Sequence, residues 1–211
     1  MRNCDTGTVF VLTLTQRVAD ASRPDPAMDH ELCRRLRDVP ARAPFQPTAP
    51  GEVRGLTKDA HAAVAAAMIA VREDRYAVGI GVGDVFLTRV DHEDGRVAVT
   101  AEGPGMNHGH LAAQPGRDTE RAAVRVSAVD ATAAEQAQAV LKLVGRIVSE
   151  RSEAEWRVVD LLVPGARGQQ KTVAQQLGIT PQAVSKAVVR SLWNEEWQAR
   201  PAAATLLRLC E

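Results

Sequence analysis

Aromatic side chains are scarce in this chain of 211 residues: three Trp, three Phe and one Tyr amount to 3%. Since 45% of the residues are hydrophobic, a core is affordable, but it must be packed by Ala, Val and Leu rather than by rings. Cysteine is as sparse. Cys4, Cys33 and Cys210 show no CxxC spacing, which excludes a disulfide framework and a thiolate zinc site and points to a reducing cytoplasm. No apolar run approaches the ~20 residues that span a bilayer, and Val9–Leu14 is too short for a signal-peptide core. The expectation is a soluble, cytoplasmic protein with no membrane partner. Net charge is also lacking, with 26 basic against 26 acidic side chains, but it is unevenly spread. Residues 151–211 carry eight Lys/Arg against six Asp/Glu, and residues 1–150 carry eighteen against twenty.

What is present is concentrated in residues 170–190, QKTVAQQLGITPQAVSKAVVR, which read as a helix-turn-helix. Ala174 supplies a small residue where two helices cross, Gly178 tolerates φ > 0 in the turn, and Val184 locks the second helix on the first. The first helix is expected over Thr172–Leu177, with Val173 and Leu177 inward and Ile179 plugging the core. Thr180 is a good N-cap and Pro181 suits the first helical position. Val184 and Val188 then face inward, leaving Gln182, Ala183, Ser185, Lys186 and Arg190 outside. Between Leu161 and Asn194 there is no Asp or Glu, but there are Arg167, Lys171, Lys186 and Arg190. Such a basic island suits a polyanion better than whole-chain neutrality suggests. On duplex DNA, Gln182, Ser185 and Lys186 would face base edges, while Lys171, Thr172 and the N–H groups of the first helix would hold a phosphate. A bare helical hairpin that only packs on a protein partner is the alternative.

Elsewhere the chain reads as alternating strands and helices. Val9–Thr15 is a buried strand, 22–29 a loop, 27–38 a helix with Leu32 and Leu36 on one face, and Val53–Leu56 a short strand. Pro40, Pro44, Pro47 and Pro50 make 40–50 an extended connection rather than a helix. Lys58–Arg72 is an Ala-rich helix. Arg75–Val82 and Val85–Val90 read as strands of a hairpin turning at Gly83-Asp84, and Arg96–Ala101 as a weak strand. Met106–Ala113 suits a helix, 114–120 a polar loop, Ala122–Val129 a strand and Thr132–Glu150 a long helix. Ser152 and Glu155 form a capping box, opening a helix with Trp156, Val159, Leu162 and Val163 as its apolar stripe, ended by Pro164-Gly165. Pro201–Leu209 is the final helix. With no strand pair after the recognition helix, a wing is not expected.

The segments RYAVGIGVGDV (75–85), EGPGMNHGHLA (102–112) and LGITPQAVSK (177–186) together resemble the SatD-like family of bacterial proteins. The resemblance implies a cyclase-like, ferredoxin-like α+β domain over 1–150, followed by an all-α helix-turn-helix domain over 151–211. It also implies a loss. Where the family has Asp after the first strand, this chain has Gln16 in Thr15–Asp20; where the family has Asp in its second motif, it has Gly51 in Pro50–Leu56. In cyclases two such carboxylates hold the metal ions, and Glu52 alone cannot replace them. The expectation is a domain with no catalytic residue, no cofactor and no metal, serving dimerisation or sensing.

Other motifs carry less. Gly79-Ile80-Gly81-Val82-Gly83 lacks the following helix of a dinucleotide fingerprint and suits close strand packing. Asn107–His110 offers two imidazoles without a third ligand, and Asp91–Asp94 is an acidic turn. His30 and His61 suit helix surfaces, and Trp156, Trp193 and Trp197 suit the small C-terminal core. The chain is thus expected to be a DNA-binding transcriptional regulator, a homodimer on double-stranded DNA. Its site would comprise Arg167, Lys171, Thr172, Thr180, Gln182, Ala183, Ser185, Lys186 and Arg190. A nucleotide-processing enzyme and a protein-interaction adaptor are the alternatives.

Overall fold

Alternating β-branched and apolar residues let the first strand, β1 (Thr8–Gln16), bury both of its faces, and Val9 through Leu14 are solvent-inaccessible. The computed structural model describes residues 7–17, 23–91, 97–114 and 123–211, a mixed α+β architecture. After β1 come α1 (Pro26–Leu36), β2 (Ala43–Ala49), β3 (Glu52–Thr57), α2 (Ala60–Arg72) and β4 (Tyr76–Asp84). Then follow β5 (Phe86–Asp91), β6 (Val97–Glu102), α3 (Pro104–Ala113), β7 (Val124–Ser127) and α4 (Ala131–Ser149). The chain closes with α5 (Glu153–Val159), α6 (Gln170–Leu177), α7 (Pro181–Arg190) and α8 (Trp193–Arg208). Five strands form one sheet in the order β2-β3-β1-β4-β7, antiparallel except for the β4–β7 pair.

One face of the sheet presents Phe10, Leu12, Leu14, Val78 and Ile80 to α1, α2 and α4, where Ala63, Ala67, Met68, Leu141 and Val144 complete the main core. The Ala-rich α2 is what lets these helices sit close in a chain poor in aromatics. The other face packs Val9 and Val11 with Leu56 and Val85. Across it lies α3, in near backbone contact with β4. A Cβ added to Gly81 would stand 2.0 Å from the Gly109 nitrogen, and one on Gly79 2.7 Å from that of Ala113. The alternating glycines of β4 thus make room for a helix.

The structure corrects several sequence expectations. Gly83-Asp84 does not turn a hairpin: β4 pairs with β1 and β7, while β5 pairs with β6 in a separate two-stranded sheet. The proline-rich connection is extended, as expected, and contains the edge strand β2, a position where a missing N–H is tolerated. The helix expected over 27–38 begins one residue earlier, at Pro26, with Asp25 as N-cap, so the loop expected over 22–29 ends before it. The final helix begins at Trp193 and carries Pro201 in its interior. Helix α5 ends at Val159, and Val163 is exposed rather than part of an apolar stripe. Ile179 does not plug the core, being 40% exposed, and Trp197 lies largely at the surface. Cys4, the end of Thr15–Asp20, residues His92–Asp94 of the acidic turn, and residues 115–120 of the polar loop lie outside the described residues. No helix among the described residues is long and apolar enough to cross a membrane.

A second, smaller core joins α5, α6 and α7 through Val158, Val159, Val173, Ala174, Val184, Val188 and Trp193. Helix α8 belongs to both cores. Trp193 sits in the small one, and Ala203, Ala204, Leu207 and Cys210 in the main one against α2 and α4.

Candidate functional site

Local chemistry explains how the α6–α7 pair is built. Gly178 takes the left-handed conformation at φ 66°, and the N–H groups of Gly178 and Ile179 bond back to Gln175 O and Ala174 O. This pair of bonds closes α6 as a Schellman motif. Thr180 then caps α7, its Oγ1 accepting from Ala183 N at 3.1 Å, with Pro181 at the first helical position. Val184 and Val188 turn inward onto Val173 and Ala174 as the sequence implies. The capping box also forms: Ser152 Oγ accepts from Glu155 N, and Glu155 Oε2 accepts from Ser152 N at 2.9 Å.

Of the nine expected site residues, Arg167, Lys171, Thr172, Thr180, Gln182, Ala183, Lys186 and Arg190 are exposed, and Ser185 is half-buried. Thr180 spends its hydroxyl on the cap. Arg190 Nε stands 3.8 Å from Glu155 Oε1, yet its side chain remains 70% exposed. The Glu155 carboxyl is held below the usual carboxylate range, chiefly by the Ser152 N–H; partial burial opposes this, and the Ser152 hydroxyl and Arg190 add to it. Three apolar side chains share the neighbourhood: Ile179, Val189 and Leu192 are 40%, 69% and 43% exposed.

The two positions where the family resemblance expects carboxylates do meet in space. Gln16, the last residue of β1, donates its N–H to Gly51 O at 2.7 Å in the β2–β3 turn. Neither supplies an acid. Glu52, beside Gly51, is paired with Arg54 at 2.8 Å, and a further acid nearby is one that the sequence did not flag. Asp29, on α1 and 2% exposed, accepts from Gln16 Nε2 at 2.7 Å, Gly51 N at 3.0 Å and the Tyr76 hydroxyl at 3.1 Å. Gln16 also bonds Asp25, donating to its carbonyl and accepting from its N–H. Burial, with Asp29 beside it, pushes the Tyr76 phenol well above its usual range. A buried carboxylate that accepts three hydrogen bonds from three separate elements is structurally committed.

Sequence reasoning also missed the joint between the two cores. Arg72, ending α2, binds both oxygens of Asp160 at 2.7 Å and lies 3.8 Å over the Trp156 ring. Arg151 stands 4.9 Å from the same ring, and it reaches the buried Glu196 at 2.7 Å and Ser191 O at 2.9 Å. Arg200 also grips Glu196, with its Nε at 2.7 Å. The signal in the sequence was an acid, Glu196, on the inward stripe of a helix next to two tryptophans.

His108 Nδ1 lies 2.8 Å from Ser127 Oγ, tying α3 to β7. Among the described residues, no three His, Cys, Asp or Glu side chains cluster as a metal site. No family model matches the chain, and no curated protein matches it. Among solved structures it is similar to that of the guanylyl cyclase Cya2, at 18% identity and a TM-score of 0.37, over 51% of this chain and 70% of that one.

Proposed function

We propose that the chain is a DNA-binding transcriptional regulator whose α6–α7 pair acts as a helix-turn-helix. The observation that carries this reading is the outward face of α7 and its surroundings. Gln182, Ala183 and Lys186 stand exposed on a capped helix, and no acidic side chain occurs from Leu161 to Asn194. In this reading Gln182, Ser185 and Lys186 meet base edges, Ala183 can touch a thymine methyl, and Arg167, Lys171, Thr172 and Arg190 meet phosphates. The order β1-α1-β2-β3-α2-β4 in the chain, with β2-β3-β1-β4 in space, supports a ferredoxin-like, cyclase-like frame for residues 1–150. It is also consistent with the SatD-like resemblance. Gln16, Gly51 and an Asp29 committed to three structural hydrogen bonds favour a regulatory or dimerising role for that frame over catalysis. Two copies in the cytoplasm would read two half-sites of one operator. A gel shift of pooled genomic fragments tests the reading: retention at low salt, steeply lost as salt rises, is expected, and no retention would remove it.

A second reading is favoured by the exposed Ile179, Val189 and Leu192 beside the same helix pair. They suit a protein partner docking on α6–α7. A pull-down that depends on residues 165–192 and survives nuclease treatment would favour this adaptor role.

A further inference from the structure

The loop between α5 and α6 is closed by a backbone turn, Ala166 N donating to Val163 O at 3.2 Å, and braced by one side chain. Gln169 Oε1 accepts from Val163 N at 2.7 Å, while its Nε2 donates to Val163 O at 2.8 Å and Ala166 O at 3.0 Å. One amide therefore satisfies three backbone groups across a loop turned by Gly165 and Gly168, at φ 78° and 74°. Arg167 is the only charged residue in the closed segment Val163–Gln169, and it stands exposed between the last bonded carbonyl and Gly168. A bridge of this kind removes loop freedom before any ligand arrives, which lowers the ordering entropy of the contact.

We infer that Gln169 is a positioning residue. It preorganises the 163–168 loop so that the Arg167 guanidinium meets a DNA backbone phosphate as α7 enters the major groove. This rests on the DNA-binding reading above. Gln169 touches no DNA itself; its amide is consumed by the loop.

The test is the salt dependence of duplex binding by the full chain, measured by fluorescence anisotropy for wild type, R167A, Q169A and R167A/Q169A. Loss of one phosphate contact lowers the slope of log K against log salt by about 0.9. Q169A should show nearly the same loss of slope as R167A, and the double variant should bind no more weakly than R167A alone. If Q169A keeps the wild-type slope, or adds its full loss to that of R167A, the inference is overturned while the DNA reading stands. If wild type binds no duplex, both fall. Should Q169A lose helicity, Q169M, uncharged and of similar length, also removes all three bonds and is judged by the same slopes.

Discussion

Arg72 on α2 grips both carboxylate oxygens of Asp160 at 2.7 Å while its guanidinium lies 3.8 Å over Trp156. The ion pair is partly exposed, at 33% and 43%, so its Coulombic share is small, and the stacked ring adds a second contribution. Arg72→Ala should cost about 1–2 kcal/mol and Asp160→Ala about 1 kcal/mol or less, with a coupling near 0.5 kcal/mol. Urea unfolding of the double-mutant cycle reads this directly. Equal losses for the two single variants would mean that Trp156 contributes nothing.

Asp29 predicts a larger effect. Asp29→Ala strands three donors, the Gln16 amide, the Gly51 N–H and the Tyr76 hydroxyl, in a site where Asp29 is 2% exposed. A loss of about 3 kcal/mol is expected. Asp29→Asn keeps the shape but turns an NH2 toward a donor, and should fall between. Denaturant midpoints with unchanged m-values check both, and a near-neutral Asp29→Ala would contradict the network's role.

Gly81→Ala sets a Cβ 2.0 Å from the backbone of Gly109, which has no flexible end to move aside. Helix α3 must lift from the sheet, at about 3 kcal/mol or more. Amide exchange in 104–113 should accelerate well beyond that of α2. Protection unchanged in both helices would place α3 elsewhere.

The capping box carries a pH signature. Because the folded Glu155 carboxyl titrates below its ordinary value, it binds fewer protons than in the unfolded chain as pH falls through that range. Its stabilisation is therefore present above about pH 4.3 and is lost as pH drops through the folded value. Glu155→Gln should cost about 0.5–1 kcal/mol at neutral pH, and the deficit should shrink progressively as pH falls below about 4.3. A deficit that persists unchanged in acid would point to packing instead of charge.

Much of the α6–α7 pair was legible because its determinants are local: a left-handed Gly178, the Thr180 cap, Pro181 and the Val184/Val188 spacing. The capping box at Ser152 was legible for the same reason. Non-local partners were not. Nothing near Asp29 in the sequence announces Gln16, Gly51 or Tyr76, and Glu196 meets Arg151 only after α8 has folded back. Gly83-Asp84 misled because a hairpin turn and an exit toward a second sheet use the same residues. Pro201 misled because a long helix packed on two cores tolerates the bond it removes. The Gln169 bridge has no sequence signature, because a glutamine before a helix has no pattern of its own.

The measurement closest to the central claim is retention of fragmented genomic DNA by the full chain at about 50 mM salt, sequenced for wild type and for Lys186→Ala. Wild type should enrich fragments sharing one short sequence, and Lys186→Ala should weaken retention and relax the preference at one base position, with a loss of about 1–3 kcal/mol at that base. Recovery of no fragment above background by wild type, or an enrichment that Lys186→Ala leaves unchanged, would contradict an α7 that reads DNA.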